Sequence, residues 1–364
     1  MMAPPATALG IRLRVLVTDA GDPATQVVPD TPVGHHADLA ALCRLSEGCD
    51  VVTFDHEHVP NAHLVSMQDG GTVLRPGPAA LLHAQDKLVM RSRMAGLGVD
   101  QPRWCPVDGV DALKAFGTEV GWPVVLKTPR GGYDGKGVRM VDSADEALDW
   151  FERAAGEPLL AEERVDFARE LAVLLARSPS GQAAAWPVVE TLQVDGVCRE
   201  VVAPAPGLDD DRAAAAVHAG LRVAAALDLT GVLAVELFET RDGRVLVNEL
   251  AMRPHNSGHW TIEGAVTSQF EQHLRAVLDL PLGDPRPRDR WSVMVNVLGG
   301  DHPDLYRSYL HVMARDPGVK VHMYGKTVKP GRKVGHVTVC GDDLDDVRSR
   351  ARHAADFITG LIDE

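Results

Sequence analysis

Residues 231–250 read GVLAVELFETRDGRVLVNEL. Two apolar runs flank Asp242-Gly243, a dipeptide that closes tight hairpins because both central positions of such a turn need positive φ. A two-residue turn there sets Glu236 directly opposite Glu249 on one face, with Cβ atoms ~5 Å apart. Carboxylates that close repel unless a proton or cation intervenes, and oxygen ligands at this spacing suit Mg²⁺ bridging substrate phosphates. Asn248 then points to the other face unless a bulge intervenes. The strongly apolar neighbours argue against an exposed glutamate pair at a sheet edge.

Upstream, residues 123–128 (PVVLKT) form a short buried strand carrying Lys127 near its end. The loop RGGYDGKG, Arg130 to Gly137, leads into a second strand, 138–141. Because it joins two strands, it is neither a Walker loop nor a Rossmann fingerprint, both of which need a following helix N-terminus. Its four glycines permit close backbone approach to a phosphate, and Lys127, Arg130 and Lys136 supply positive charge. Downstream, MRPHNSGHW, Met252 to Trp260, gathers mixed donors in a structured loop suited to anions and substrates. Its two histidines, four apart without helical context, are no metal signature. Residues 320–336, KVHMYGKTVKPGRKVGH, hold five Lys or Arg and no acid, which points to a phosphate subsite.

The 364 residues fit two to three domains at ~150 residues each. Strands at 11–17 and 50–54 alternate with helices and predict a doubly wound α/β unit over 1–76. Helices follow over 86–97 (Asp86 as cap, Gly98 as stop), 111–119, 144–155, 210–227 and 261–278. Strands fill 159–202, 281–289 reads as a linker, and 291–364 as a small α/β tail. With 51 acidic against 37 basic residues the net charge is −14, which disfavours non-specific nucleic-acid or anionic-membrane binding but leaves room for a locally basic site. Five cysteines, without a C-x-x-C pair, read as small core residues in a reducing cytoplasm rather than a disulfide or zinc framework. No apolar run reaches the ~20 residues of a membrane helix, and the N-terminus lacks the cationic flank of a signal peptide. His35, His36, His56 and His58 read as surface or loop residues.

QDKLVMRSRM, PVVLKTPRGGYDGKG, LLAEERVDFARELAVLLAR, VLVNELAMRPHNSGHWT, SQFEQHLR and MYGKTVKPGRKVGH occur in this order. Together they resemble the N5-carboxyaminoimidazole ribonucleotide synthetases, ATP-grasp ligases of purine biosynthesis. The resemblance implies an ATP-grasp fold: a pre-ATP-grasp unit over 1–76, the grasp over 77–283 and a small C-terminal unit over 284–364. It implies carboxylation of 5-aminoimidazole ribonucleotide at the expense of ATP and bicarbonate, through carboxyphosphate, releasing ADP and phosphate. Nucleotide contacts then fall on Lys87, Lys127, Gly132, Tyr133, Asp134, Gly135, Lys136, Gly137, Val138, Glu162, Glu163, Arg164, Val165, Glu170, Gln193, Asn248 and Glu249. Glu236 and Glu249 match the Mg²⁺ ligands. Tyr133, Asp134, Lys136, Arg253, His255, Lys326 and Arg332 match ribonucleotide-side positions, with Lys326 and Arg332 on the 5′-phosphate. Asp134, Lys127 and Arg253 are the catalytic candidates, Asp134 as acceptor of a proton from the amine. A homodimer and a partnership with the mutase that uses the product are also implied.

The family opens with a strand and a glycine-rich turn before the helix met here at Met1. Against that pattern the chain reads as clipped, so a start further upstream or a weakened substrate site is expected. Met252 replaces the usual Pro, and Lys87 the common Arg, keeping the charge and losing the bidentate fork. GYDGKG and HNSGHW favour this family over formate-dependent glycinamide ribonucleotide transformylase and biotin carboxylase. An intact set from Lys127 onward argues against a non-catalytic ATP-binding protein.

Overall fold

The computed structural model describes residues 1–132, 137–300 and 304–362. Its short strands build two antiparallel sheets. The smaller contains β1 (Trp104–Val107), β2 (Val124–Lys127), β3 (Val138–Val141) and β4 (Leu159–Glu163), in the order β1-β4-β2-β3. Helix Val110–Val120 packs on this sheet, and Leu113, Phe116, Val124, Leu126, Leu159 and Ala161 share a core of their own.

The larger sheet has nine strands: β5 (Phe167–Arg177), β6 (Ala183–Ala185), β7 (Val189–Val194), β8 (Val197–Ala203), β9 (Gly231–Thr240), β10 (Val245–Ala251), β11 (Trp291–Leu298), β12 (Lys320–Met323) and β13 (Lys333–Gly341). The order is β10-β9-β5-β7-β8-β11-β13-β12, with β6 on β5. Strands such as β5 read as continuous apolar runs because both faces are covered. Leu171, Val173 and Leu175 face a core shared with Leu64, Leu81, Met90 and Met94. Ala172, Leu174 and Ala176 face Trp186, Trp260 and Ala276 on the opposite side. The C-terminal strands join this sheet: β11 pairs with β8, Ser292 opposite Ala203. Helix Leu344–Thr359 covers them through Val347, Ala351, Ala354 and Ile358, and its Arg348 and Arg352 reach across to the buried Glu200 of β8 at 2.8 and 2.5 Å.

Several expectations change. Residues 11–17 and 50–54 form isolated parallel bridges, Arg14 to Asp30, Val17 to Val33 and Val52 to Leu74, in place of strands. Pro29 and Pro32 lack the N–H groups that a longer ladder beside residues 14–17 would need. The segment 261–278 splits into helices Thr261–Gly264 and Gln269–Val277, the second started by the Ser268 hydroxyl accepting the Glu271 N–H at 3.2 Å. The segment 144–155 opens as a 3-10 turn before helix Leu148–Ala154. Of the cysteines only Cys198 is buried; Cys43 lies exposed on helix Leu39–Ser46. No helix among the described residues is long and apolar enough to cross a membrane.

One buried histidine ties the N-terminal unit to the large sheet. His273 Nδ1 accepts the Val232 N–H at 3.1 Å, so Nε2 carries the proton and donates to Thr53 Oγ1 at 2.7 Å. Burial pushes its pKa down to about 4. The unfolded chain therefore binds more protons between the two pKa values, and stability falls as pH drops from about 6.5 towards 4. About 3 kcal/mol is at stake. Denaturant titrations across this range should show the loss, and His273→Asn, which keeps an acceptor for Val232, should flatten the slope.

Candidate active site

A cleft of about 980 Å³ lies between the two sheets. Its electrostatic centre is the hairpin of β9 and β10. The turn has three residues, Arg241 to Gly243, closed by Thr240 N–H to Arg244 O and Gly243 N–H to Thr240 O, both at 2.9 Å. That extra residue shifts the expected register by one, pairing Val245 with Glu239. A bulge at Asn248, between Val247 and Glu249, shifts it back, and Glu249 faces Glu236 after all. The predicted opposition holds by a different route. The bulge also lets Asn248 and Glu249 line the cleft together, which a regular strand forbids.

The neighbouring cations are held in place. Lys127, at the end of β2, donates to Glu162 Oε2 at 2.7 Å and to Asn248 Oδ1 at 3.2 Å. Glu162 Oε1 takes the Nε–H of the fully buried Arg91 at 2.6 Å. Burial alone would raise the Glu162 pKa, but Lys127 and Arg91 outweigh it and hold the carboxyl below its ordinary range. Lys87 Nζ meets Glu249 Oε1 at 3.0 Å. Asp86 caps helix Lys87–Gly96, accepting from Leu88 and Val89 N–H at 3.0 and 3.2 Å, and its other oxygen takes Arg130 at 2.8 Å. The glycine loop is thereby anchored at its near end. Gly137 closes its far end at φ 76°, where a Cβ would strike the Thr128 hydroxyl.

The segment after β10 is shaped by Gln269, a fully buried amide that accepts the His255 N–H and donates to the His255 carbonyl, both at 2.8 Å. His255 Nδ1 accepts the Ser257 N–H at 3.3 Å, leaving Nε2–H to point at Glu236 Oε1, 3.2 Å away. Burial pushes Glu236 up, but the bond from His255 and the charges of Lys333 and Arg253 bring it below the usual range. Glu170 keeps a raised pKa of about 7, from burial and from the neighbouring Glu236 charge. Arg253 pairs with Glu57 at 2.8 Å.

Lys87, Lys127, Gly132, Val138, Glu162, Glu163, Arg164, Val165, Glu170, Gln193, Glu236, Asn248, Glu249, Arg253, His255 and Lys326 all line this one cleft. Gly137 and Arg332 do not; Arg332 turns outward to the Thr327 carbonyl at 3.2 Å, and Lys333 takes the lining position. Tyr133, Asp134, Gly135 and Lys136 lie outside the described residues. Sequence reasoning missed Arg91, Glu57, Gln269 and Lys333. Arg91 carried a signal, one helical turn beyond Lys87; Gln269 carried none. His56 and His58, expected in loops, line the cleft, with ring centroids 5.1 Å apart.

The hairpin carboxylates fit a hard cation. Glu236 and Glu249 each commit Oε1, to His255 and Lys87, while 30% and 40% of their side-chain surfaces stay open. Among the described residues no three His, Cys, Asp or Glu side chains are grouped so that they could hold a metal ion by themselves. A cation here would thus complete its shell from phosphate oxygens and water, as Mg²⁺ does.

Three family models match the chain: a ribonucleotide synthetase preATP-grasp domain over 1–85, an ATP-grasp domain over 92–270 and a phosphoribosylaminoimidazole carboxylase C-terminal domain over 292–350. The N5-carboxyaminoimidazole ribonucleotide synthase of Mycobacterium tuberculosis is 55% identical over 359 residues, 97% of this chain and 84% of that one. That of Corynebacterium ammoniagenes is 48% identical over 98% of this chain and 89% of its own. Among solved structures, the Thermus thermophilus synthetase superposes with a TM-score of 0.87 at 40% identity, covering 100% of this chain and 96% of that one. The Aspergillus clavatus enzyme in complex with ADP and 5-aminoimidazole ribonucleotide gives 0.89 at 30% identity, with the same coverage. With this agreement across the whole chain, the protein belongs to the N5-carboxyaminoimidazole ribonucleotide synthase family of ATP-grasp ligases.

Proposed function

We propose that the chain carboxylates 5-aminoimidazole ribonucleotide on its exocyclic nitrogen, using ATP and bicarbonate and releasing ADP and phosphate. The observation that carries this reading is the convergence in one cleft of an opposed carboxylate pair, two anchored lysines and the Arg253–His255 loop. Mg²⁺ bound by Glu236 and Glu249 would supply charge neutralisation at the phosphates. Lys127, held from two sides, faces the transferred phosphate, and Lys87 its neighbours. Transfer to bicarbonate gives carboxyphosphate, which is labile, so the glycine loop must exclude water. Arg253, His255 and Lys326 take the ribonucleotide side, with Tyr133 and Lys136; Lys333, which lines the cleft as Lys326 does, takes the place expected of Arg332. Asp134 accepts the amine proton.

The three proposed units, 1–76, 77–283 and 284–364, each send residues into the cleft, Glu57, Lys127 and Lys326 among them. The reading extends to a cytoplasmic homodimer that passes its product to a mutase.

The test is ADP release with Mg-ATP and bicarbonate, with and without the ribonucleotide. Strong stimulation with carboxylated product supports the reading; ATP turnover indifferent to the ribonucleotide overturns it. Arg253→Ala should raise KM for the ribonucleotide at least tenfold, the cost of one charge-assisted contact, while KM for ATP moves little. Equal rises in both would remove Arg253 from the ribonucleotide side.

A further inference from the structure

Arg91 does not line the cleft, yet two of its three bonds end on residues that do, Glu162 and Asn248. It is fully buried on helix Lys87–Gly96. Nε–H goes to Glu162 Oε1 at 2.6 Å, Nη1 to the Val247 carbonyl at 2.6 Å and Nη2 to the Asn248 carbonyl at 2.9 Å. The last two carbonyls belong to the bulge. β10 is an edge strand of the large sheet, and among the described residues no further strand pairs with its outer rim. Arg91 takes up that role together with the Asp100 carbonyl, which accepts the Val247 N–H at 2.8 Å.

We infer that Arg91 is a positioning residue of the reaction, fixing Lys127 through Glu162 and the Asn248–Glu249 pair through the bulge. The inference rests on the nucleotide and Mg²⁺ reading of the cleft. Its physical basis is the planar fork. One guanidinium satisfies a carboxylate and two carbonyls in fixed directions, and an ammonium at the same place is a point charge that cannot serve all three. With the fork gone, the bulge carbonyls lose their partner. The bulge then relaxes towards regular pairing, and Asn248 turns to the opposite face. Glu162 at the same time draws Lys127 wholly to itself. Lys87, four residues earlier on the same helix, holds Glu249 directly, so a single helical face sets both ends of the bulge.

The test uses the full chain carrying Arg91→Lys, with unfolding midpoint, Mn²⁺ affinity by electron paramagnetic resonance in the presence of ADP, and steady-state kinetics. The expected result is a folded protein whose Mn²⁺ affinity falls about tenfold, the lower end for loss of a residue that orients metal ligands. kcat falls by a similar factor, and KM for the ribonucleotide stays within twofold, because Arg253, His255 and Lys326 do not touch Arg91. Unchanged Mn²⁺ affinity and kcat in the folded variant would overturn the inference. So would a fall in every parameter in step with the folded fraction. Glu162→Gln supplies a second measurement: Arg91 stays on the bulge, so Mn²⁺ affinity should hold while metal-free ADP affinity drops as Lys127 loosens. Equal losses in both would overturn the division of labour. If wild-type protein bound no Mn²⁺ with ADP and showed no ribonucleotide-dependent turnover, the underlying reading would fall instead; an active wild type beside an indistinguishable Arg91→Lys overturns only the positioning role.

Discussion

Lys127→Met lowers kcat for ribonucleotide-dependent ADP release by about 10²–10³-fold, the usual cost of one preorganised donor aimed at developing charge. The lysine is suited to this size of effect because its position is imposed. Glu162 and Asn248 grip the ammonium at 2.7 and 3.2 Å, so little reorganisation is needed when the phosphate charge shifts. Met keeps an unbranched apolar stem like that of Lys and removes the ammonium with its charge and donors. Glu162 retains Arg91, so the fold persists and the loss falls on turnover. Measured at saturating substrates, a kcat within tenfold of wild type would contradict the role given to Lys127.

The second large effect concerns the joint between β8 and the C-terminal helix. Arg348→Met combined with Arg352→Met leaves Glu200, only 3% exposed, as a buried carboxylate without its two cations. Stranding such a charge costs about 3–5 kcal/mol. Glu200→Gln in the same background should recover most of it, because the stranded charge is then gone. Denaturant midpoints of the double and triple variants decide the matter; an equal loss in both would mean that packing of the arginine stems, and not the carboxylate, carries the joint.

The parts of the fold written as local pattern could be read directly. Asp86 before an apolar-periodic run gave the helix that carries Lys87, and the two runs around Asp242-Gly243 gave the hairpin. What escaped depended on contacts distant in sequence. The bulge at Asn248 is fixed by Arg91, 157 positions away, and no spacing rule at the hairpin announces it. Gln269 shapes the His255 loop from the start of a different helix. The attachment of β11 to β8 joins residues roughly ninety positions apart, and a short polar stretch between them looked like a boundary. The resemblance supplied Glu162, but its buried place between Arg91 and Lys127 emerged only in three dimensions.

The long sheet has a mechanical meaning. From Glu249 on its outermost strand to the basic segment between β12 and β13, one hydrogen-bonded lattice forms a stiff floor under both ends of the cleft. The small sheet, with its separate core, is the roof. Bending a nine-stranded floor would stretch many ladder bonds together, whereas tilting the roof works against two chain connections, between Glu163 and Phe167 and into β1, and against the few bonds that cross to the floor, Lys127 to Asn248 and Glu162 to Arg91. Capture is therefore one-sided: Glu236, Glu249, the Arg253–His255 loop and the segment between β12 and β13 stay put, and the distance to be closed is covered from above.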